Sequence, residues 1–275
     1  MKRILAIILA VIMIFSLAAC GEKKDENVLK FGVIEMSGMT DMMTDEHKQH
    51  VRETDGISSD VKGEIVNYNN LSSALMDLEG GKIKDVVIEK SVANYVAAHN
   101  EKITVIEDSR NADFSMMTLD SKRDVYDILN NAIKEMKADG TLDSLVESDL
   151  KAYINSDPVA KDLPKFDGAI TIKVGVTGDM PPMDFVAANG KAAGFNIALL
   201  TEIANRAQVN FEIVQIESGS RAMALSSGKV DVVFWTKSAT CTVCGATGAE
   251  TVDGTLITES YFTDSLARIT LKSDN

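Results

Sequence analysis

Aromatic side chains are scarce in this chain of 275 residues: they make up 5% of it, with one tryptophan, Trp235. Hydrophobic residues nevertheless reach 45%, so valine, isoleucine, leucine, alanine and methionine must build the core. Three cysteines are too few for a disulfide-dense scaffold, and four prolines too few for an extended proline-rich chain. Positive charge is also short, with 28 Lys and Arg against 41 Asp and Glu, a net charge of −13. Such a surface disfavours nucleic acid and keeps a protein in solution, although a local basic spot can still hold an anion. Glycine-rich phosphate loops, HExxH and any spacing that singles out a Ser-His-Asp set are all missing. No enzymatic chemistry, cofactor or metal is therefore expected.

The N-terminus carries the strongest local signal. Lys2 and Arg3 precede an apolar run from Ile4 to Leu17. That run is short for a membrane span and fits the h-region of a secretory signal. It ends in Leu17-Ala18-Ala19-Cys20, which resembles a bacterial lipobox. Residues 1–19 are then a lipoprotein signal peptide, Cys20 is the lipidated residue, and residues 20–27 are a polar tether. The plainer alternative is a cleaved signal with an incidental cysteine. No second run of membrane length follows, so a body of about 256 residues is expected outside the cytoplasm, held to the cell membrane by lipid.

Periodicity then alternates strand and helix. Val28–Ile34, Glu64–Tyr68, Val86–Ile88 and Ile103–Ile106 read as strands, with helices over Leu71–Glu79 and Val92–Asn100. A polar, helical stretch is expected up to Val51. Asp124–Lys137 is amphipathic at helical spacing and Leu142–Ile154 follows as a second helix. Residues 155–169 hold Pro158 and Pro164 and read as a linker. The alternation restarts with strands at Ile170–Val176, Phe211–Gln215, Val230–Phe234 and Leu266–Leu271. Helices are expected over Asn196–Ala207 and Arg221–Leu225. LSSALMDLEGGKIKDVVIEKS (71–91) and SRAMALSSGKVDVVFWTKS (220–238) form a weak internal repeat, as two α/β lobes on one plan would give.

On these segments the chain resembles the type II periplasmic solute-binding proteins, in particular the polar amino-acid-binding group of ABC importers. Ile172–Val176, the loop Asp179-Met-Pro-Pro-Met183, the Gly194-Phe195-Asn196 step and Leu225-x-x-Gly228-Lys-Val-Asp231 resemble the family's first lobe. Val33–Thr40, Leu78–Tyr95 and Asn130–Leu142 resemble its second lobe and C-terminal tail. The resemblance implies an α/β, two-lobed periplasmic binding protein-like II fold, each lobe a mostly parallel sheet flanked by helices, with a hinge of crossing strands. Residues 28–117 are expected as the lobe resembling lobe two, 118–154 as helices returning to pack on the other lobe, and 170–275 as the lobe resembling lobe one. That order is the reverse of the family's. A circular permutation is one reading, in which Tyr261–Leu271 runs beside Phe114–Thr118. Two incomplete tandem copies, or a swapped dimer, is the other.

Candidate ligand contacts fall at strand-to-helix turns, where backbone N–H groups and helix dipoles favour anionic groups such as a carboxylate. Ser37, Gly38, Met39 and Thr40 occupy such a turn, with an ordinary helix cap as the alternative. Asp179, Met180 and Met183 lie in the loop the resemblance implies as ligand-contacting, the methionines as a soft wall or as packing. Glu89 matches a position where the family often has an aspartate pairing a ligand amino group. Ser220 and Arg221, beside Gly219, stand at a helix start where a cation could pair an anion. Trp235, Thr236 and Lys237 end a strand. The family's carboxylate-clamping arginine is missing, because residues 239–248 read ATCTVCGATG; Arg221 or Lys237 would have to substitute.

Cys241 and Cys244 form a CxxC, a possible disulfide in an exported protein, with a redox site or incomplete metal site as alternatives. His47 and His50, and the methionines 36, 39, 42 and 43, read as a solvated face and helix packing rather than metal ligands. Together the residues point to a lipid-anchored monomer that captures a small polar solute, an amino acid or related organic anion, for an ABC transporter permease. A ligand-sensing surface lipoprotein and a thiol-redox protein are the competing readings.

Overall fold

A computed structural model of the chain describes residues 28–34, 49, 53, 61–245, 247–249 and 251–272. One continuous mixed sheet organises it, its strands lying in the spatial order Lys62–Tyr68, Val28–Ile34, Asp85–Glu89, Phe262–Leu271, Ile103–Leu119, Val232–Cys241, Thr171–Val176 and Asn210–Gln215. On one side lie β1 (Val28–Ile34), β2 (Lys62–Tyr68) and β3 (Asp85–Glu89), all mutually parallel. On the other lie β5 (Thr171–Val176), β9 (Asn210–Gln215) and β10 (Val232–Cys241), again parallel where they pair. Each side thus forms a lobe with helices on its faces. The fold is α/β with two lobes, as expected.

Two long strands join the lobes. β4 runs from Ile103 to Leu119 and β13 from Phe262 to Leu271. They pair antiparallel from Phe262↔Phe114 to Leu271↔Ile103. β13 then borders β3, while β4 borders β10 from Thr118↔Val232 to Arg110↔Cys241. Of the expected adjacency of Tyr261–Leu271 with Phe114–Thr118 only the Phe262↔Phe114 end is present; the rest of β13 pairs with residues 103–113, and Met116–Thr118 pair with β10 instead. A buried Arg268–Asp85 contact of 3.1 Å ties β13 to β3.

The helices follow the apolar periodicity closely. α1 (Leu71–Glu79) is capped by Asn70, whose Oδ1 accepts from Ser73 N at 2.9 Å, and it buries Leu71, Ala74 and Leu78. α2 (Lys90–His99) buries Val92, Ala93 and Val96. α3 (Arg123–Ala138) buries Val125, Leu129, Ala132, Ile133 and Met136 at a spacing of three and four. It packs on α5 (Phe195–Ala207) of the other lobe. There Arg206 meets Asp139 at 2.8 Å and Glu202 at 2.9 Å. Between them α4 (Thr141–Leu145) begins a helical stretch that passes into a π-turn over Val146–Leu150 and a 3₁₀ turn over Lys151–Tyr153.

Three expectations need correction. The strand read as Ile103–Ile106 is 17 residues long, because its polar residues face neighbouring strands and the crossing between lobes rather than a turn. β10 likewise continues to Cys241, with a register shift between Thr236 and Ser238. The single helix read over Leu142–Ile154 is irregular. The expected helical stretch before Val51 falls mostly outside the described residues, as do Cys20, His47 and His50. Among the described residues no helix is long and apolar enough to cross a membrane.

The start of α5 shows how tightly the second lobe is built. Phe195 N donates to Pro182 O at 3.0 Å and Asn196 N to Met183 O at 2.9 Å, so loop carbonyls and helix N–H groups satisfy each other. The close approach requires glycine at 194. Its φ is +93°, and a Cβ there would stand 2.5 Å from Pro182 O and 2.9 Å from Met183 O. Gly194→Ala is expected to destabilise the protein by about 2–3 kcal/mol. Denaturant unfolding of the variant beside the wild type measures this; an unchanged midpoint would contradict it.

Candidate functional site

Polar groups gather where parallel strands end, the usual position of ligand sites in α/β sheets. Glu89 closes β3 and precedes α2. Thr177 follows β5 and leads into the loop Asp179–Asp184, which contains β6 (Asp179–Met180) and opens β7 (Asp184–Val186). Arg221 starts α6 (Arg221–Ser226), after β9. Three segments distant in sequence therefore aim side chains at one place between the lobes.

At its floor is a cavity of about 30 Å³ lined by Glu89, Thr177, Met180, Met183, Asp184 and Arg221, with an aromatic wall of Phe114, Phe234, Trp235 and Tyr261. Phe234 and Tyr261 stack edge to face at 6.0 Å. Thr177 also lines a cleft of about 810 Å³, which carries Asn70 and Ser72 from one lobe and Asp179, Gln215 and Ser220 from the other. Asp179 Oδ2 accepts from Leu71 N, at the start of α1, at 2.8 Å. This contact spans the lobes and places a carboxylate at a helix N-terminus. On another face a hollow of about 700 Å³ is lined in part by Lys90, Lys137 and Lys151. Each of those lysines pairs with a glutamate, Glu107, Glu259 and Glu147 respectively.

The charges at the cavity are unusually buried. Asp184 accepts from Thr177 N at 2.9 Å, Thr177 Oγ1 at 3.2 Å and Gly178 N at 3.0 Å. Burial raises its pKa, opposed by those hydrogen bonds and by Arg221. Arg221 is 8% exposed and forms no ion pair among the described residues. Burial lowers its pKa, while Asp184, and then Glu89, act to hold it protonated. Glu89 is 1% exposed, and its Oε2 has no hydrogen-bond partner among the described residues. Burial pushes its pKa from 4.5 up to about 7; Asp264 and Asp179 add to the rise, and its own backbone amide and Arg221 oppose it. Asp179 Oδ1 and Thr236 Oγ1 are also buried without a partner.

The sequence-derived candidates fare unequally in this geometry. Glu89, Met180, Met183, Arg221 and Trp235 line the cavity, and Asp179 and Ser220 line the cleft. Both methionines wall the cavity and belong to the core, so the two readings offered for them coincide. Thr236 is buried beside the cavity wall, whereas Lys237 points to solvent at the β10 irregularity. Ser37, Gly38, Met39 and Thr40 lie outside the described residues. Sequence reasoning did not single out Thr177, Asp184, Asn196, Phe234 or Tyr261 as site residues. Only Asp184 left a local trace, an acid directly after an apolar loop. Cys241 is buried and Cys244 exposed, with Cys244 N donating to Cys241 Sγ at 3.2 Å. Among the described residues no group of three or more His, Cys, Asp and Glu side chains could hold a metal.

Glu89 has a measurable effect on stability. Its folded pKa lies above the unfolded value, so its contribution is intact below about pH 4.5 and is lost as pH rises through 7. Full ionisation costs about 3 kcal/mol. Glu89→Gln is expected to melt several degrees higher than the wild type at pH 7.5, the gap closing toward pH 4.5. Thermal denaturation across that range tests it. A lower melting temperature for the variant at pH 7.5 would mean that Glu89 is paired in the folded protein.

The chain is similar to known proteins over part of its sequence and in its fold. Residues 172–242 match the family described as bacterial extracellular solute-binding proteins, family 3. No curated protein matches the chain. One solved structure similar to it is the ligand-binding component of an ABC-type import system from Staphylococcus aureus, at 10% identity and a TM-score of 0.43. That match covers 90% of this chain and 66% of the other, so the chain spans just under two thirds of its length. Another is the GluR0 ligand-binding core in complex with L-glutamate, at 10% identity and a TM-score of 0.41, covering 91% and 87% of the two chains. The OxyR regulatory domain from Pseudomonas aeruginosa, in reduced form, is similar at 10% identity and a TM-score of 0.42, covering 90% and 87%. Residues 172–242 are thus similar to the family 3 extracellular solute-binding proteins, within a two-lobed α/β fold.

Proposed function

We propose that the protein captures a small polar solute of amino-acid size between its two lobes and delivers it to an ABC transporter permease. One observation carries this reading: buried charged groups from both lobes, Glu89 from one and Arg221 and Asp184 from the other, converge on a cavity at the base of an interlobe cleft. A cavity of about 30 Å³ has room for little more than a water-sized group, so capture requires the lobes to part and close again. The Asp179–Leu71 hydrogen bond is the contact that opening breaks and closing restores. Glu89, Asp179, Ser220 and Arg221 are the polar contacts; Met180, Met183 and Trp235 are the wall. Residues 1–19 are the export signal and Cys20 the lipid anchor, which places a monomer at the outer side of the cell membrane. Cys241 and Cys244, at the turn after β10, are the pair that an oxidising exterior would join in a disulfide.

Thermal-shift measurement of the protein against amino acids, amines and organic acids tests the capture reading, because a solute that binds only the folded state raises the melting temperature. A shift of several degrees with at least one small solute is expected. No shift with any of them, together with dithiol-dependent reductase activity, would favour a redox protein using Cys241 and Cys244 instead.

The segment order is, in the same proposal, a cyclic permutation of the family's. Register supports it: Thr270 of β13 and Phe31 of β1 both lie opposite Asp85, on either side of β3. The end of β13 and the start of β1 therefore share one edge of the sheet, about 10 Å apart at ordinary strand spacing. A chain rebuilt with residues 170–272 ahead of residues 28–154 through a short glycine-serine link is expected to fold with the same near-ultraviolet circular dichroism. An unfolded or aggregated product would count against the permutation.

A further inference from the structure

We propose that the solute is an amine-bearing organic cation without a carboxylate, held by Glu89 and Asp179 against the aromatic wall; this rests on the capture reading and assigns its ligand class.

The argument begins with charge balance. The cavity and the adjoining cleft bring together four carboxylates, Glu89, Asp179, Asp184 and Glu217, with two cations, Arg221 in the cavity and Lys229 on the cleft. Glu217 and Lys229 are exposed, so Arg221 is the buried cation among these. Asp184 is already committed to Thr177 and Gly178, and it is the strongest of the carboxylates holding Arg221 protonated. Arg221 and Asp184 therefore offset each other, which removes the demand for a ligand carboxylate. Glu89 and Asp179 remain, and the buried cation that acts on them, Arg221, is already offset by Asp184.

Hydrogen bonding points the same way. An ionised carboxylate only accepts, and a buried acceptor left unmade is costly. Glu89 Oε2 and Asp179 Oδ1 are both buried without a donor among the described residues. An ammonium group supplies up to three donors and the charge that offsets the acids. An anionic ligand supplies neither. The walls favour the same class, because Phe114, Phe234, Trp235 and Tyr261 offer ring faces that attract a cation and a surface that covers an alkyl stem. Such a ligand also reverses the burial cost of Glu89, so stability given up by the empty site returns on binding.

The test measures affinity by calorimetry for putrescine, lysine, glutamine, glutamate and succinate, at pH 6 and pH 8. Putrescine is expected to bind most tightly, with glutamate and succinate weakest. Its affinity is expected to rise several-fold from pH 6 to pH 8, because the amine requires ionised Glu89 while its own charge is unchanged. The groups facing Glu89 are Asp264 from β13, Asp179 from β6 and Arg221 from α6. Glu89→Gln and Asp179→Asn, with native circular dichroism, are each expected to weaken putrescine at least tenfold. If lysine, glutamine, glutamate or succinate binds more tightly than putrescine, the cation assignment fails and capture stands. Putrescine affinity that is insensitive to Glu89→Gln also overturns it. If none of the five binds, the assignment and the capture reading fall together.

Discussion

The pairing of β4 with β13 is the constraint on which the rest of this structure depends. Every other strand belongs to one lobe, whereas these two run from one to the other and pair along Ile103–Phe114 and Phe262–Leu271. Their length sets where the lobes meet, and their antiparallel register decides which strand ends face each other. A shift of one residue would turn Phe114, buried at the cavity wall, to the opposite face of the sheet. The cleft is therefore a consequence of strand pairing rather than of any contact at its mouth.

Around that frame the site is electrostatically expensive. Glu89, Asp184 and Arg221 are each more than nine-tenths buried, and burial alone pushes all three toward their neutral forms. Charges are retained at such a position when a function uses them. Asp184 is the best satisfied, through three hydrogen bonds from two adjacent residues. Glu89 is the least, since its Oε2 has no hydrogen-bond partner among the described residues. The same principle explains Asp179, whose one oxygen caps α1 across the cleft while the other faces the interior.

Much of the architecture was legible in the residues. Apolar spacing located α1, α3 and α5 and the parallel strands to within a few positions, because each buries one face or both in a continuous core. Strand length was not legible for β4 or β10. Polar residues inside them look like turns locally, yet their backbone groups are taken up by neighbours more than a hundred residues away, as at Thr236↔Phe114. Of the residues singled out in the sequence, Glu89, Met180, Met183 and Arg221 line one cavity. Tyr261, Phe234 and Asn196 line it too but were not singled out, since nothing in their local sequence distinguishes a cavity wall from ordinary core.

The sequence by itself determined the α/β alternation, the two-part plan and the missing arginine in residues 239–248. These are local properties of pattern and composition, and no partner is needed to state them. Only the tertiary structure decided which charges are paired and which are not. Arg221 could be weighed as a carboxylate clamp until Asp184 was found facing it, and Glu89 as a solvated acid until it proved buried without a donor. Burial and pairing are set by residues brought together across the hinge strands. The electrostatic surroundings of the cavity are therefore decided in three dimensions alone.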